Sequence, residues 1–240
     1  LVETAIGRMD RPRDDSRLHA LGVFAQIDEY HAVGIFPDDL LFFPCVVGSC
    51  ALIVHALEIG AGNGTPLAFL SDILDADSIG IEPSKKAVEN WSLLRKDVAG
   101  GARTSLLHGL ATELPFEDKS FDLVVFGFCL VYIDRSLLYR AISEADRVLR
   151  DGGFLCIEDF DTTIPYSNPY KHKEGLFCYK SNYPGIFLAS GHYHLIAKRS
   201  YSHSEFKFDP KFDERVSMSL MYKQENNVYN SPRPSESPTS

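Results

Sequence analysis

Cysteine is scarce in this sequence and poorly placed for cross-linking. Cys45, Cys50, Cys129, Cys156 and Cys178 are odd in number and form no C-x-x-C pair, which disfavours both a disulfide framework and a zinc site. Reduced thiols, and hence a cytoplasmic protein, are the expectation, with no metal. Positive charge is also short: 24 Lys and Arg stand against 33 Asp and Glu, for a formal net charge of −9. Such a balance repels a phosphate backbone, so nucleic acid is not an expected partner. A long uninterrupted apolar run is missing as well. The stretch from Leu40 to Leu57 is uncharged, but Pro44, Gly48 and His55 interrupt it, and its last residues are needed as a buried strand. No membrane association is expected. The first twenty residues are charged, which gives no reason to expect a signal peptide.

Apolar side chains are plentiful, at 45% of a 240-residue chain, enough for one sizeable core. The sequence divides into an N-terminal extension with a helix after Ser16 (1–50), a catalytic domain (51–200) and a C-terminal extension (201–240), polar and disordered from about 224. Within 51–200, short apolar runs alternate with amphipathic stretches. Ile53 to Ile59, Ser78 to Glu82, Thr104 to His108, Phe121 to Phe126 and Phe154 to Glu158 read as strands. The stretches between carry helical stripes: Leu67, Leu70 and Leu74 behind Thr65-Pro66; Val88, Trp91 and Leu94 behind Ser84; Leu138, Ile142, Ala145 and Leu149 before Asp151-Gly152-Gly153. The alternation predicts an α/β fold, Rossmann-like and doubly wound, with a mostly parallel seven-stranded sheet. A C-terminal antiparallel hairpin is expected from Ile186–Ala189 and Tyr193–Lys198 around Ser190-Gly191-His192.

The strongest local pattern is Leu57-Glu58-Ile59-Gly60-Ala61-Gly62-Asn63-Gly64, a strand that turns through alternate glycines into a helix. Glycine lets a ligand lie against the main chain, and the helix behind it offers free N–H groups to an anion. The dinucleotide fingerprint requires a third glycine where Thr65 stands, which weakens a nicotinamide reading. Glu82 ends the second strand, 20 residues beyond Gly62 (82 − 62), where a carboxylate can accept hydrogen bonds from both hydroxyls of a ribose. A nucleoside ligand is implied. The glycines alone also fit a plain tight turn, and Asp122, at the start of a buried strand, reads as structural.

With these residues in place the chain resembles the class I S-adenosylmethionine-dependent methyltransferases. Leu57 to Gly64 looks like their first motif, Ile81-Glu82-Pro83-Ser84 like the second-strand end, and Gly109-Leu110-Ala111-Thr112-Glu113-Leu114-Pro115-Phe116 like the G-x-A-x-x-L-P-F segment. Ser120-Phe121-Asp122-Leu123-Val124 resembles the fourth strand, and Val148-Leu149-Arg150-Asp151-Gly152-Gly153 the turn before the fifth. The resemblance spans about residues 54 to 159. It implies S-adenosyl-L-methionine as cofactor, with Glu58, Gly60, Ala61, Gly62 and Asn63 at its methionine part, Glu82 and Pro83 at the ribose, and Leu110 and Ala111 beside the adenine. Phe126 and Gly127 would floor the site near the sulfonium. Family members often carry an acidic residue where Leu110 stands, so adenine recognition would fall to main-chain atoms here.

The acceptor is expected to be a small polar molecule such as a sugar, a sugar phosphate or a natural-product intermediate, methylated on oxygen, with His172 or Tyr132 as base. The Tyr-rich loop from Asp159 to Tyr183 would supply stacking and anion-binding groups, and the residues after the fifth strand resemble methyltransferases of surface-polysaccharide and natural-product assembly. Two other readings stay open: a nucleotide-dependent oxidoreductase or epimerase, and a non-catalytic S-adenosylmethionine-binding module. The sequence leaves the oligomeric state open.

Overall fold

The computed structural model describes residues 53–170, 175–203, 207–208, 210–211 and 213–225. The expected helix after Ser16, the lysines and histidine at 171–173, and the tail from 226 lie outside the described residues.

Strands β1 (His55–Ile59), β2 (Asp77–Glu82), β3 (Thr104–His108), β4 (Phe121–Gly127) and β5 (Leu149–Phe160) alternate with helices α1 (Thr65–Leu74), α2 (Lys85–Leu94) and α3 (Leu138–Val148). A small hairpin of β6 (Tyr166–Pro169) and β7 (Phe177–Lys180), the short helix α4 (Tyr183–Leu188), β8 (Tyr193–Ser202) and β9 (Arg215–Lys223) complete the described elements. The main sheet has seven strands in the order β3-β2-β1-β4-β5-β9-β8, and β6 and β7 form a separate two-stranded sheet. Pairings from β3 to β5 are parallel; β9 runs antiparallel to both β5 and β8.

Strand alternation explains the two layers. Leu57, Ile59, Val124, Phe126, Leu155 and Ile157 point to one face and meet Leu138, Ala145 and Val148 of α3 and Phe187 of α4. Ala56, Leu123, Val125, Phe154 and Cys156 point to the other and meet Leu70 of α1. Each fully buried Leu, Ile or Phe of this kind contributes about 1.5–3 kcal/mol. Ser84 caps α2 as its position implied, accepting a hydrogen bond from the Ala87 amide, a contact worth about 1 kcal/mol. Gly64 is the cap of α1, and Thr65 is its first residue.

Three expectations are corrected. Ile186–Ala189 is not a strand: Asn182 caps a helix there, with Pro184 in its first turn, and the closing antiparallel pair is β8 with β9. β5 begins at Leu149 rather than Phe154, so Leu149 leaves the helical stripe, and Asp151-Gly152-Gly153 lie within β5 beside a register shift against β4. A side chain at Gly153 would strike the Asp122 and Arg150 carbonyls. The expected boundary at residue 200 falls inside β8, and the sheet continues to Lys223. That lysine is buried and donates to the carbonyls of Asp146 and Leu149, tying β9 to the α3–β5 junction.

Candidate functional site

Strand order reverses between β1 and β4, so the chain leaves these neighbours in opposite directions and a crevice opens at their carboxyl ends. Two recesses occupy it. The smaller, about 120 Å³, is lined by Glu58, Gly60, Ala61, Gly62, Asn63, Pro66, Gly127 and Phe128. The larger, about 480 Å³, lies between Ile81, Glu82 and Pro83 on one side, Leu110, Ala111 and Thr112 on another, and the segment from Phe128 to Asp134 with Leu137 on the third. That volume is in the range of small-molecule sites. Gly60 and Phe128 line both recesses, so a ligand that fills the two must pass between them.

The three glycines of the turn all have positive φ (82°, 52° and 79° for Gly60, Gly62 and Gly64), yet they do different things. A Cβ on Gly60 would sit 2.7 Å from the Cys129 sulfur, and one on Gly64 2.8 Å from the Trp91 ring. Those two glycines are required by the protein's own packing. A Cβ on Gly62 would meet nothing within 4 Å. Its side-chain space is therefore open, as a bare main-chain surface for a ligand requires. Glu82 turns toward this surface: one carboxylate oxygen accepts from the Gly62 amide at 2.9 Å and the other from the Ser84 amide at 2.8 Å.

Glu58 is buried, and its Oε2 has no hydrogen-bond partner. Burial, with the Glu82 charge adding to it, pushes this carboxyl up to about 8. An orphaned acid lining a recess is what an ammonium group would satisfy. Bare main chain at Gly62, a carboxylate at Glu82 and an orphaned carboxyl at Glu58 thus match the hydroxyls and ammonium of an adenosyl amino acid. Tyr132 also lines the larger recess, edge-on to the Tyr170 ring. Burial pushes its phenol up to about 12, which favours the protonated form, a hydrogen-bond donor. His172 lies outside the described residues. The Cys129 thiol is driven upward by burial and by the carboxylates of Asp159, Glu82 and Glu58, so it is no nucleophile.

Of the residues expected at the cofactor, Glu58, Gly60, Ala61, Gly62, Asn63, Glu82, Pro83, Leu110, Ala111 and Gly127 line the recesses. Phe126 does not. Alternation along β4 sends it into the core, and Phe128, one residue past the strand with φ 46°, reaches the junction instead. Its amide donates to the Glu158 carbonyl at 2.8 Å. The adjoining turn from Leu130 to Tyr132 hangs on Asp159, which accepts from the Val131 amide at 3.0 Å and from its neighbour Phe160 at 2.8 Å. The far wall is pinned by Arg147 of α3, which holds the carbonyls of Leu114 and Phe116 while Glu144 accepts from the Leu114 amide. Asp122 is structural, accepting from the amides of Val54 and His55.

A family model described as a methyltransferase domain matches residues 57–157. The chain is similar to a demethylmenaquinone methyltransferase of Staphylococcus aureus (strain MRSA252), 35% identical over 115 residues, or 47% of this chain and 46% of the relative. It therefore spans about half the length of the curated relatives it matches. Among solved structures it resembles the 1,6-didemethyltoxoflavin-N1-methyltransferase of Burkholderia thailandensis, with bound 1,6-didemethyltoxoflavin and S-adenosylhomocysteine (TM-score 0.61, 14% identity, 90% of this chain and 91% of that one). An S-adenosylmethionine-dependent methyltransferase of Methanosarcina mazei gives a TM-score of 0.59 at 16% identity, covering 75% of this chain and 97% of that one. At these identities the structural likeness concerns the fold.

Proposed function

We propose that this chain, whose residues 57–157 match a methyltransferase-domain model, is a class I S-adenosylmethionine-dependent methyltransferase that transfers a methyl group from S-adenosyl-L-methionine to the oxygen of a small-molecule acceptor. The observation that carries the reading is the sorting of the glycines: Gly60 and Gly64 are filled by the protein, while Gly62 faces open space between Glu58 and Glu82. In this reading Glu58 receives the ammonium of the methionine part and Glu82 exchanges its contact with the Gly62 amide for the ribose hydroxyls. Leu110, Ala111 and Pro83 sandwich the adenine, and Phe128 lies beside the sulfonium, where a ring face favours positive charge.

The bound sulfonium supplies an activated methyl group whose leaving sulfur departs neutral. The chain therefore has little charge to stabilise, and its contribution is alignment and exclusion of water. Gly62 keeps the main chain between Glu58 and Glu82 free of a side chain. Asp159 holds the turn that carries Tyr132, and Tyr132, protonated, can donate to the acceptor and orient it. The names of the relatives, a quinone precursor and a toxoflavin precursor, support a ring-bearing acceptor of natural-product type over a sugar.

Calorimetry with S-adenosylmethionine on the wild type, Gly62→Val and Glu82→Ala tests the assignment. Gly62→Val is expected to abolish binding by filling the open space, and Glu82→Ala to weaken it by about 1.5–3 kcal/mol through loss of charged hydrogen bonds. Equal affinity in all three proteins defeats the reading.

A further inference from the structure

The methyl-transfer reading puts the sulfonium at the junction of the two recesses, beside Phe128, but leaves the acceptor without a base. Among the described residues that line either recess there is no lysine, arginine or histidine. The ring wall does not stop at Phe128, however. Phe160, at the end of β5, stands edge-on to it with centroids 6.0 Å apart. His203, just past β8, stacks on Phe160 at 5.4 Å and 21° and stands edge-on to Phe128 at 5.4 Å and 84°. Both phenylalanines are only partly buried and His203 is exposed, so the cluster is a surface rather than a core. Backbone contacts fix its parts: the His203 amide donates to the Glu214 carbonyl and the Phe128 amide to the Glu158 carbonyl. Lys180 of β7 lies 3.8 Å over the Phe160 ring and donates to the Asp213 carbonyl, which brings the β6–β7 hairpin against the same wall.

We propose that Phe128, Phe160 and His203 form the acceptor subsite, that it takes a planar ring compound bearing a hydroxyl group, and that His203 receives the hydroxyl proton. The proposal rests on the methyl-transfer reading. A ring acceptor laid along this wall has its edge beside Phe128, where the methyl group arrives. As the oxygen–methyl bond forms, the sulfur–methyl bond breaks with both electrons passing to sulfur. The hydroxyl proton moves to an imidazole nitrogen of His203, leaving a neutral thioether, a methyl ether and an imidazolium. Imidazole suits the task because a ring nitrogen can accept the proton as the bond forms, and aromatic faces favour planar molecules over puckered sugars.

The experiment uses the full chain with S-adenosylmethionine labelled in the methyl group, offered to catechol, 2-naphthol and quercetin in one series and to glucose and glucose 6-phosphate in another. Label is expected in at least one of the ring hydroxyl compounds and in neither sugar. With that acceptor, His203→Ala and His203→Gln are expected to lower turnover by about 100-fold, the usual worth of a positioned base. Phe160→Leu is expected to raise KM for the ring compound more than it lowers kcat. Affinity for S-adenosylhomocysteine, read by calorimetry, is expected to stay within about twofold of the wild type in all three variants, since none of these side chains lines the cofactor recesses. Labelled sugars, transfer to none of the ring compounds, or normal turnover by His203→Ala overturns the subsite. Failure of the wild type to bind S-adenosylhomocysteine instead removes the methyl-transfer reading beneath it.

Discussion

At the end of β1 the buried Glu58 carboxyl keeps one oxygen without a hydrogen bond, whereas at the end of β5 the equally buried Asp159 has a backbone N–H on each of its oxygens. The two acids stand on the same edge of one sheet, and burial raises both, to about 8 and about 7. What separates them is the partner. Asp159 spends its acceptors on the chain and so holds the Leu130–Tyr132 turn in place. Glu58 holds nothing in the chain through Oε2 and is available to a cation from outside. Burial alone does not identify a binding residue; burial with an unspent hydrogen-bonding group does.

Asp159 carries the larger structural load of the two. Asp159→Ala leaves the Val131 and Phe160 amides buried without an acceptor and is expected to cost about 2–4 kcal/mol of stability, seen as a lower denaturation midpoint, whereas Glu58→Gln is expected to lose none. Equal losses would mean that the orphaned oxygen has a structural task after all. The glycines sharpen the same distinction with a smaller effect. Gly64→Ala forces a methyl group into Trp91, and Gly62→Ala bears only the left-handed backbone, so the first is expected to be about 1–2 kcal/mol less stable than the second, again by denaturation. Their order reverses only if the space at Gly62 is filled in solution.

The smallest expected effect is a slope against pH. Glu58 titrates near its ordinary 4.5 when unfolded and at about 8 when folded, so between these values the folded state carries the extra proton and stability falls as pH rises. Asp159, raised to about 7, adds a fall of the same sign between its ordinary 3.8 and that value. Glu58→Gln is expected to flatten the curve of melting temperature most between pH 7 and 8, where Asp159 is in the second half of its titration and Glu58 still carries most of its extra proton. An unchanged slope there would remove Glu58 as its source.

Much of the β1 end could be read in advance because its causes are local. The glycine spacing, the Ser84 cap and the place of Glu82 at a strand end depend on residues a few positions apart, and the recess forms where they put it. The side of the sheet from β4 onward could not. Phe126 has the right chemistry for the junction but the wrong parity in its strand, and Phe128 reaches the recess only through a left-handed backbone angle that phenylalanine rarely adopts. The apolar run Ile186–Leu188 fits strand or helix equally, although Asn182 followed by Pro184 was a helix-entry signal in the sequence. β9 was hidden by its composition: Ser217 and Ser219 alternate with Met218 and Leu220, and all are buried because β9 lies between two strands. His203 gains its significance only from neighbours 43 (203 − 160) and 75 (203 − 128) positions away.

The late arrival of β9 has a consequence for biogenesis. β5 and β8 are both synthesised before the strand that separates them, and the insertion also needs Lys223 to reach the carbonyls of Asp146 and Leu149. A nascent chain halted before residue 215 would present two unpaired strand edges, the kind of template on which neighbouring chains associate. Chaperone demand during translation should therefore peak while β8 is already outside the ribosome and β9 is still in the exit tunnel.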